Sequence, residues 1–169
     1  LVPEDRKQHG LIVDFSVANN IGLPNLKPNQ RGPGFANFST QRISSMEMCD
    51  LLDIKTPSIG QLVKFLSGGN QQKFAVASRL DSEPSVILLD EPTRGVDVGA
   101  KRELYHLIAG LAEQGLACLM ISSELPELIG LCHRIVVMRQ GRTAGVVDGP
   151  TATEESIMRL AAGVEDHAA

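Results

Sequence analysis

Four consecutive apolar residues, Val86-Ile87-Leu88-Leu89, run straight into Asp90-Glu91-Pro92, and this junction constrains the fold more than any other stretch of the chain. The run is too short for a helix. An unbroken apolar segment bounded by turn residues predicts a strand buried on both faces. Leu116 to Ile121 predicts a second buried strand and Ile135 to Met138 a third. Helices fall between them. From Asp97 or Val98 to Glu113, the residues Leu104, Leu107, Ile108, Leu111 and Ala112 share one helical face, and Gly115 fits the C-terminal cap. Gly68 to Leu80 predicts the helix before the first strand, and Leu125 to Leu131 a short one after the second. Strands alternating with helices predict an α/β fold, a parallel sheet covered by helices.

The flanks read less regularly. A brief helix is expected after Ser16, and Pro24 to Gly34 is expected to be a loop, because Pro24, Pro28, Gly32, Pro33 and Gly34 defeat helix and strand alike. Helices from about Ser39 to Leu52 and from about Ser58 to Phe65 would make a small helical region. Downstream, Gln140-Gly141 turns the chain into Thr143 to Val147 as an antiparallel hairpin, and Thr151 with Glu154 predicts a capping box for a last helix to about Ala162.

Composition narrows the function classes. The chain of 169 residues is sized for one domain. A net charge of −4 with both signs mixed along the sequence gives no electrostatic reason for a nucleic-acid partner. Cys49, Cys118 and Cys132 are odd in number and form no C-x-x-C pair, so free buried thiols are expected rather than disulfides or zinc. No apolar run approaches the ~20 residues of a membrane helix, so work at a membrane would mean docking on another subunit. The chain opens on Leu1 instead of Met, which raises the expectation of a truncated product.

Four motifs carry possible chemistry. In Leu66-Ser67-Gly68-Gly69-Asn70-Gln71-Gln72-Lys73, Ser67 stands as an N-cap and two glycines leave the first backbone N–H groups uncovered. Such a helix start binds anions, though an ordinary capped helix reads the same way. Asp90 and Glu91 end the first apolar strand, at the sheet edge where open α/β folds bind ligands. Adjacent strand residues point opposite ways, so one carboxylate can hold Mg²⁺ while the other reaches a water; a strand that simply ends in a polar turn is the alternative. Asp97, in Gly95-Val96-Asp97, reads equally as a helix cap. Ser122-Ser123-Glu124, after the second strand, reads either as a polar edge of the site or as a cap before Pro126.

In this order and spacing, the motifs resemble those of the ABC ATPase family: LSGGNQQK its signature, VILLDE its Walker B strand, Gly95-Val96-Asp97 its D-loop. With DEPTRGVDVGAK and the opening VPEDRK, the match extends from Val2 to about Gly163. It is similar to the second ATPase domain of tandem-domain importers of the ribose, galactose, xylose and arabinose type. The resemblance implies a partial RecA-like P-loop NTPase sheet with a small helical subdomain. The implied divisions are 1–37 (end of the N-terminal core, with a Q-loop-like start), 38–66 (helical subdomain) and 67–169 (signature helix, Walker B and C-terminal core).

The same resemblance implies ATP and Mg²⁺ as cofactors. Ser67 and Gly69, with Gly68 and Gln71 in the same motif, would face the γ-phosphate of ATP held by a partner domain. Asp90 would bind Mg²⁺ through water, Glu91 would polarise the attacking water, and Asp97 would couple the two sites. Glu4 stands where the family has the Q-loop glutamine and Ser123 where it has the switch histidine, and no G-x-x-x-x-G-K-[ST] phosphate loop occurs. Implied partners are a second ABC ATPase domain, a transmembrane permease contacted through the helical region and, indirectly, a periplasmic sugar-binding protein. The place of work would be the cytoplasmic face of the inner membrane. The expected function is the ATP-hydrolysing part of a monosaccharide importer, inactive as an isolated chain for want of the phosphate loop. The alternative is a degenerate regulatory half-domain that lends its signature motif to a partner's site.

Overall fold

The computed structural model describes residues 1–23, 30–32, 35–36, 38–80 and 82–164, with backbone alone at 30–32 and 35–36. The chain divides into two compact units, Leu1–Ile121 and Ser122–Ala169.

The first unit begins with Val2 in a parallel bridge to Leu89, followed by a single π-helical turn over Arg6–Gly10. Asp5 caps that turn, accepting from the Lys7 and Gln8 amides. Then come α1 (Val17–Gly22), β1 (Gln30–Gly32), β2 (Phe35–Ala36), α2 (Phe38–Leu51), a 3₁₀ turn (Val63–Phe65), α3 (Gly68–Leu80), β3 (Val86–Asp90), α4 (Val98–Glu113) and β4 (Ala117–Ile121). β3 and β4 pair parallel in continuous register from Val86↔Ala117 to Asp90↔Ile121. On the other edge of β3, the Val2 amide donates to the Leu88 carbonyl (2.7 Å) and the Asp90 amide to the Val2 carbonyl (3.0 Å). β3 is therefore an interior strand, flanked by Val2 and β4.

One core unites these elements, running from Val2, Leu11, Val17 and Ile21 through Phe74 and Val76 to Ile87, Leu89, Ile108 and Leu111. α3 lies so deep that Gln71, Gln72, Lys73 and Ser78 are buried with its apolar residues. α4 turns Leu104, Ile108 and Leu111 inward, as its periodicity predicts, and Gly115 follows its C-cap at φ +94°, a conformation open to glycine.

The second unit holds α5 (Leu125–Leu131), the hairpin of β5 (Arg134–Arg139) and β6 (Arg142–Asp148), a 3₁₀ turn (Gly149–Thr151) and α6 (Glu154–Ala162). Ile135, Val137 and Ile157 form its core. The hairpin is antiparallel, with a register shift between Val137 and Met138.

Several expectations need correction. β3 and β4 are not buried on both faces. Ile87 and Leu89 are fully covered, whereas Val86, Leu88, Leu119 and Ile121 are 53%, 41%, 59% and 60% exposed, because helices pack on one side of the pair only. The helix expected over 58–65 is just the turn Val63–Phe65. The Gln61 amide donates to the Ser58 carbonyl (3.0 Å) in a turn, and the carbonyls of Ile59 and Gln61 accept from the first amides of α1 (Ala18 2.9 Å, Val17 3.0 Å), which ties that segment to α1 instead of letting it wind into a helix. Within the expected loop 24–34, Gln30–Gly32 is a strand paired with Phe35–Ala36; residues 24–29 and 33–34 lie outside the described residues. The last helix is capped by Thr153, not Thr151: Thr153 Oγ1 accepts from the Ser156 amide while Ser156 Oγ accepts from the Thr153 amide. Pro150 holds Thr151 in the preceding 3₁₀ turn. The three cysteines are free, and burial pushes each thiol pKa up.

Candidate functional site

Ser67 caps α3 as its sequence predicts. Its Oγ accepts from the Asn70 backbone amide (3.3 Å) and from Asn70 Nδ2 (3.0 Å), and its carbonyl accepts from the Gln71 amide (2.8 Å). Ser67 is exposed and Gly68 half-buried, so the helix body is sunk in the core while its first turn faces solvent. Gly69 is fixed by packing: a β-carbon there would run into the Ala100 methyl of α4, with Val96 Cγ1 4.0 Å away. The absence of a side chain is what lets α3 and α4 approach. Gln71, expected at the nucleotide, is buried, and its Nε2 donates to the carbonyls of Val63 (3.1 Å) and Leu66 (3.2 Å), tying α3 to the turn before it.

β3 delivers the carboxylates. Asp90 is the last ladder residue and is half-buried. Glu91 leaves the strand at φ +45°, a left-handed conformation that costs about 1–3 kcal/mol for a residue with a side chain, while its amide still donates to the Ile121 carbonyl (2.9 Å). Pro92 and Thr93 are buried beneath it and fix the turn. Arg94 closes that turn, its backbone amide donating a hydrogen bond to the Glu91 carbonyl (3.1 Å), and Gly95 follows at φ +67°. Asp97 is the N-cap of α4, accepting from the Ala100 amide (3.0 Å) through one carboxylate oxygen.

Glu4 forms an ion pair with Arg94, which brings it onto the turn behind Asp90-Glu91. An open cleft of about 290 Å³ lies there, lined by Glu4, Asp5, Arg6, Lys7 and Arg94. Ser123 belongs to the second unit, two residues past the end of β4, and is exposed. Its neighbour Ser122 accepts from the Glu124 amide (3.0 Å) and donates to Glu127 (2.8 Å), a turn ahead of α5, whose N-cap position is Glu124 without a side-chain cap bond.

Two connections were not read from the sequence. Lys73, buried on α3, pairs with Glu103 of α4 (2.7 Å) and donates to the Asp53 carbonyl (3.1 Å), its Nζ 3.9 Å from the Asp53 carboxylate. Hydrogen bonding and charge from Lys73 hold the Glu103 carboxyl below the usual range. Arg6, buried behind the π-helical turn, reaches Gln72 of α3 and the Arg94 carbonyl. Both lysine and arginine stand in motifs that were quoted, but nothing in their spacing marks a charge as buried.

Among the described residues no three His, Cys, Asp or Glu side chains cluster into a metal cage. Asp90 and Glu91 offer a strand-end carboxylate pair. That donor set suits Mg²⁺, which keeps several waters and draws its remaining ligands from substrate phosphates.

Comparison with known proteins agrees with this geometry. Residues 4–94 match the ABC transporter family. The ribose import ATP-binding protein RbsA of Bacillus cereus is 46% identical over 164 residues, covering 97% of this chain and 33% of that protein. A ribose import ATP-binding protein of Rhizobium meliloti is 49% identical over 161 residues, covering 95% of this chain and 31% of the relative. The chain thus spans about a third of the length of the curated relatives it matches. Among solved structures, a dimeric ATP-binding cassette in a post-hydrolysis state with ADP and Pi aligns at a TM-score of 0.69 and 24% identity, covering 84% of this chain and 60% of that one. A nucleotide-free ATP-binding cassette from an ABC transporter aligns at 0.69 and 18%, covering 94% and 67%. The signature-like helix, the strand-end carboxylates and the fold agree with the sequence match over residues 4–94: this chain belongs to the ABC transporter family.

Proposed function

We propose that the chain is part of the ATP-hydrolysing subunit of an importer for monosaccharides of the ribose, galactose, xylose and arabinose class. The observation that carries this reading is the presence, in one compact unit, of an open capped helix N-terminus at Ser67-Gly68 and a strand-end pair at Asp90-Glu91. Phosphoryl transfer asks for positioning and charge stabilisation, which backbone donors, a metal and a water-directing carboxylate supply. The identity of 46–49% to proteins named for ribose import supports the sugar class.

In this account Asp90 would hold Mg²⁺ and Glu91, set off the strand axis by its left-handed turn, would direct the attacking water. The Mg²⁺ supplies neutralisation of phosphate charge. Ser67, Gly68 and Gly69 present N–H and hydroxyl donors to the γ-phosphate of ATP on a partner ATPase domain. Gln71 supports that helix end from below rather than touching nucleotide. Asp97 uses one oxygen as a cap and presents the other at the domain interface. Glu4 would face the nucleotide of the chain's own site, and Ser123 keeps the family's switch-histidine position by its place in the sequence. The divisions 1–37, 38–66 and 67–169 are kept as functional segments, with 38–66 facing a transmembrane permease that a periplasmic sugar-binding protein serves in turn. No helix among the described residues is long and apolar enough to cross a membrane. As part of an importer ATPase subunit, the chain would work peripherally on the cytoplasmic face of the inner membrane. The 169 residues contain no Gly-Lys pair with which to cradle the β- and γ-phosphates, so by themselves they do not turn ATP over.

The test is uptake of labelled ribose, galactose, xylose and arabinose by source cells carrying or lacking the gene. Loss of uptake of at least one sugar, restored by the intact gene and not by an Asp90→Asn copy, is expected. Undiminished uptake of all four would refute the importer assignment.

A further inference from the structure

The signature-like helix and the turn behind Asp90-Glu91 meet on a buried arginine. Arg6 is 9% exposed. Its Nη1 donates to the Arg94 carbonyl (3.1 Å) and to Gln72 Oε1 (3.4 Å). Its Nη2 lies 3.2 Å from where a β-carbon of Gly68 would stand, so the guanidinium rests against the first residue of α3. Both acceptors are neutral. Burial lowers the Arg6 pKa, an effect only partly offset by the charge of Asp5. Arg6 Nε and Gln72 Nε2 are buried without hydrogen-bond partners. A buried cation held by neutral acceptors, with two unmet donors beside it, is a poor way to stabilise a core; an apolar side chain of similar volume would do better.

What the arrangement does achieve is connection. Arg94 is gripped from two sides, by Glu4 through its side chain and by Arg6 through its carbonyl. Arg6 in turn grips Gln72, one helical turn below Gly68-Gly69. The Arg6 guanidinium thereby joins the turn after the carboxylates to the helix that presents its N-terminus to a partner, and the Glu4–Arg94 pair holds the same turn from its other side. Arg6 Nη1 meets both acceptors from a rigid planar group, whereas a lysine ammonium would meet them from a flexible stem.

We infer that Arg6 is a positioning residue, anchored by Gln72 and the Arg94 carbonyl, that fixes the N-terminus of α3 relative to the Asp90-Glu91 turn. The helix end serving one nucleotide then moves as one body with the strand end serving the other. This inference rests on the ATPase reading above.

The test uses the full-length protein and reads kcat and KM for ATP beside the thermal melt. In Arg6→Met, loss of the link is expected to lower kcat about tenfold or more, as displacements of about 1 Å do at such sites, with KM within about twofold and the melt unchanged or raised. Gln72→Met should reproduce the kcat loss, and the double variant should be no worse than Arg6→Met. Arg6→Lys should restore less than half of the lost turnover. A kcat for Arg6→Met within about twofold of the parent, or a loss that merely follows the unfolded fraction, overturns the inference, as does a double variant in which the two losses multiply. If Arg6→Met does not fold, Gln72→Met decides alone by the same kcat criterion. Turnover abolished by Glu91→Gln but kept in Arg6→Met refutes the positioning role alone. Turnover untouched by Glu91→Gln refutes the ATPase reading instead.

Discussion

Replacing Gly69 by alanine probes the contact that sets α3 against α4. The new methyl would overlap the Ala100 methyl, which sits on the first turn of α4 and has no rotamer through which to escape. Relaxed carbons need roughly 3.5–4 Å, so the two helix ends must part by roughly 1 Å. Overpacking of this kind costs about 1–3 kcal/mol, against about 1 kcal/mol regained from better helix propensity. The net loss of stability is then about 0–2 kcal/mol, a small change. The effect on turnover should be much larger, because a displacement of about 1 Å in a positioned donor can cost about 100-fold in rate. Ala100→Gly deletes the obstructing methyl and should relieve the clash. In the full-length protein, steady-state ATPase assays should show Gly69→Ala well below a tenth of parental kcat, with Gly69→Ala/Ala100→Gly recovering most of it. A Gly69→Ala variant with parental turnover, or a double variant no better than the single, would refute the close-approach argument.

Glu103→Gln should cost about 1 kcal/mol at pH 7, since Lys73 is buried but keeps the Asp53 carbonyl and Glu103 is half-exposed. Because the folded carboxyl titrates below its unfolded value, that contribution is full above about pH 4.3 and is lost as pH falls through the folded pKa. Melts from pH 7 down to 3 should therefore show parent and variant converging, and a constant gap would contradict the ion pair. Asp97→Ala should lose about 1 kcal/mol of cap stability while Asp97→Ser keeps it, yet both should lower ATPase turnover; equal melts for Ala and Ser would argue that the cap contributes nothing. The exposed face of Val86, Leu88, Leu119 and Ile121 should make the 169-residue chain associate in solution, and Leu119→Lys/Ile121→Lys should reduce that association in light scattering. A strictly monomeric parent would show the face to be harmless.

The motifs were legible because they combine period and punctuation. α4 has an apolar face, an aspartate before it and a glycine after it, and each sits where the sequence predicts. β3 was found from its apolar run, but its burial was not, since a run of four apolar residues cannot say how many layers cover it. α3 escaped from the other direction. Gln71, Gln72 and Lys73 are sunk in the core, with Gln71 Nε2 bonded to Val63 and Leu66, Gln72 Oε1 to Arg6, and Lys73 to Asp53 and Glu103. Those partners lie between 5 and 66 residues away along the chain, beyond the reach of local periodicity. The Thr153 cap was missed by two residues because Thr151 and Thr153 both precede an apolar run, and only the turn imposed by Pro150 separates them.

The most direct test of the central claim is steady-state ATP hydrolysis by the full-length protein with Glu91 changed to Gln. The substitution keeps size and hydrogen bonding at the strand end but removes the negative charge that directs the water. The account predicts that ATP still binds while turnover falls about 100-fold or more, within the range of about 100- to 10,000-fold for a positioned general base. Turnover within about twofold of the parent would contradict it, and would leave this domain as one that lends Ser67 and its helix to another site without hydrolysing ATP at its own.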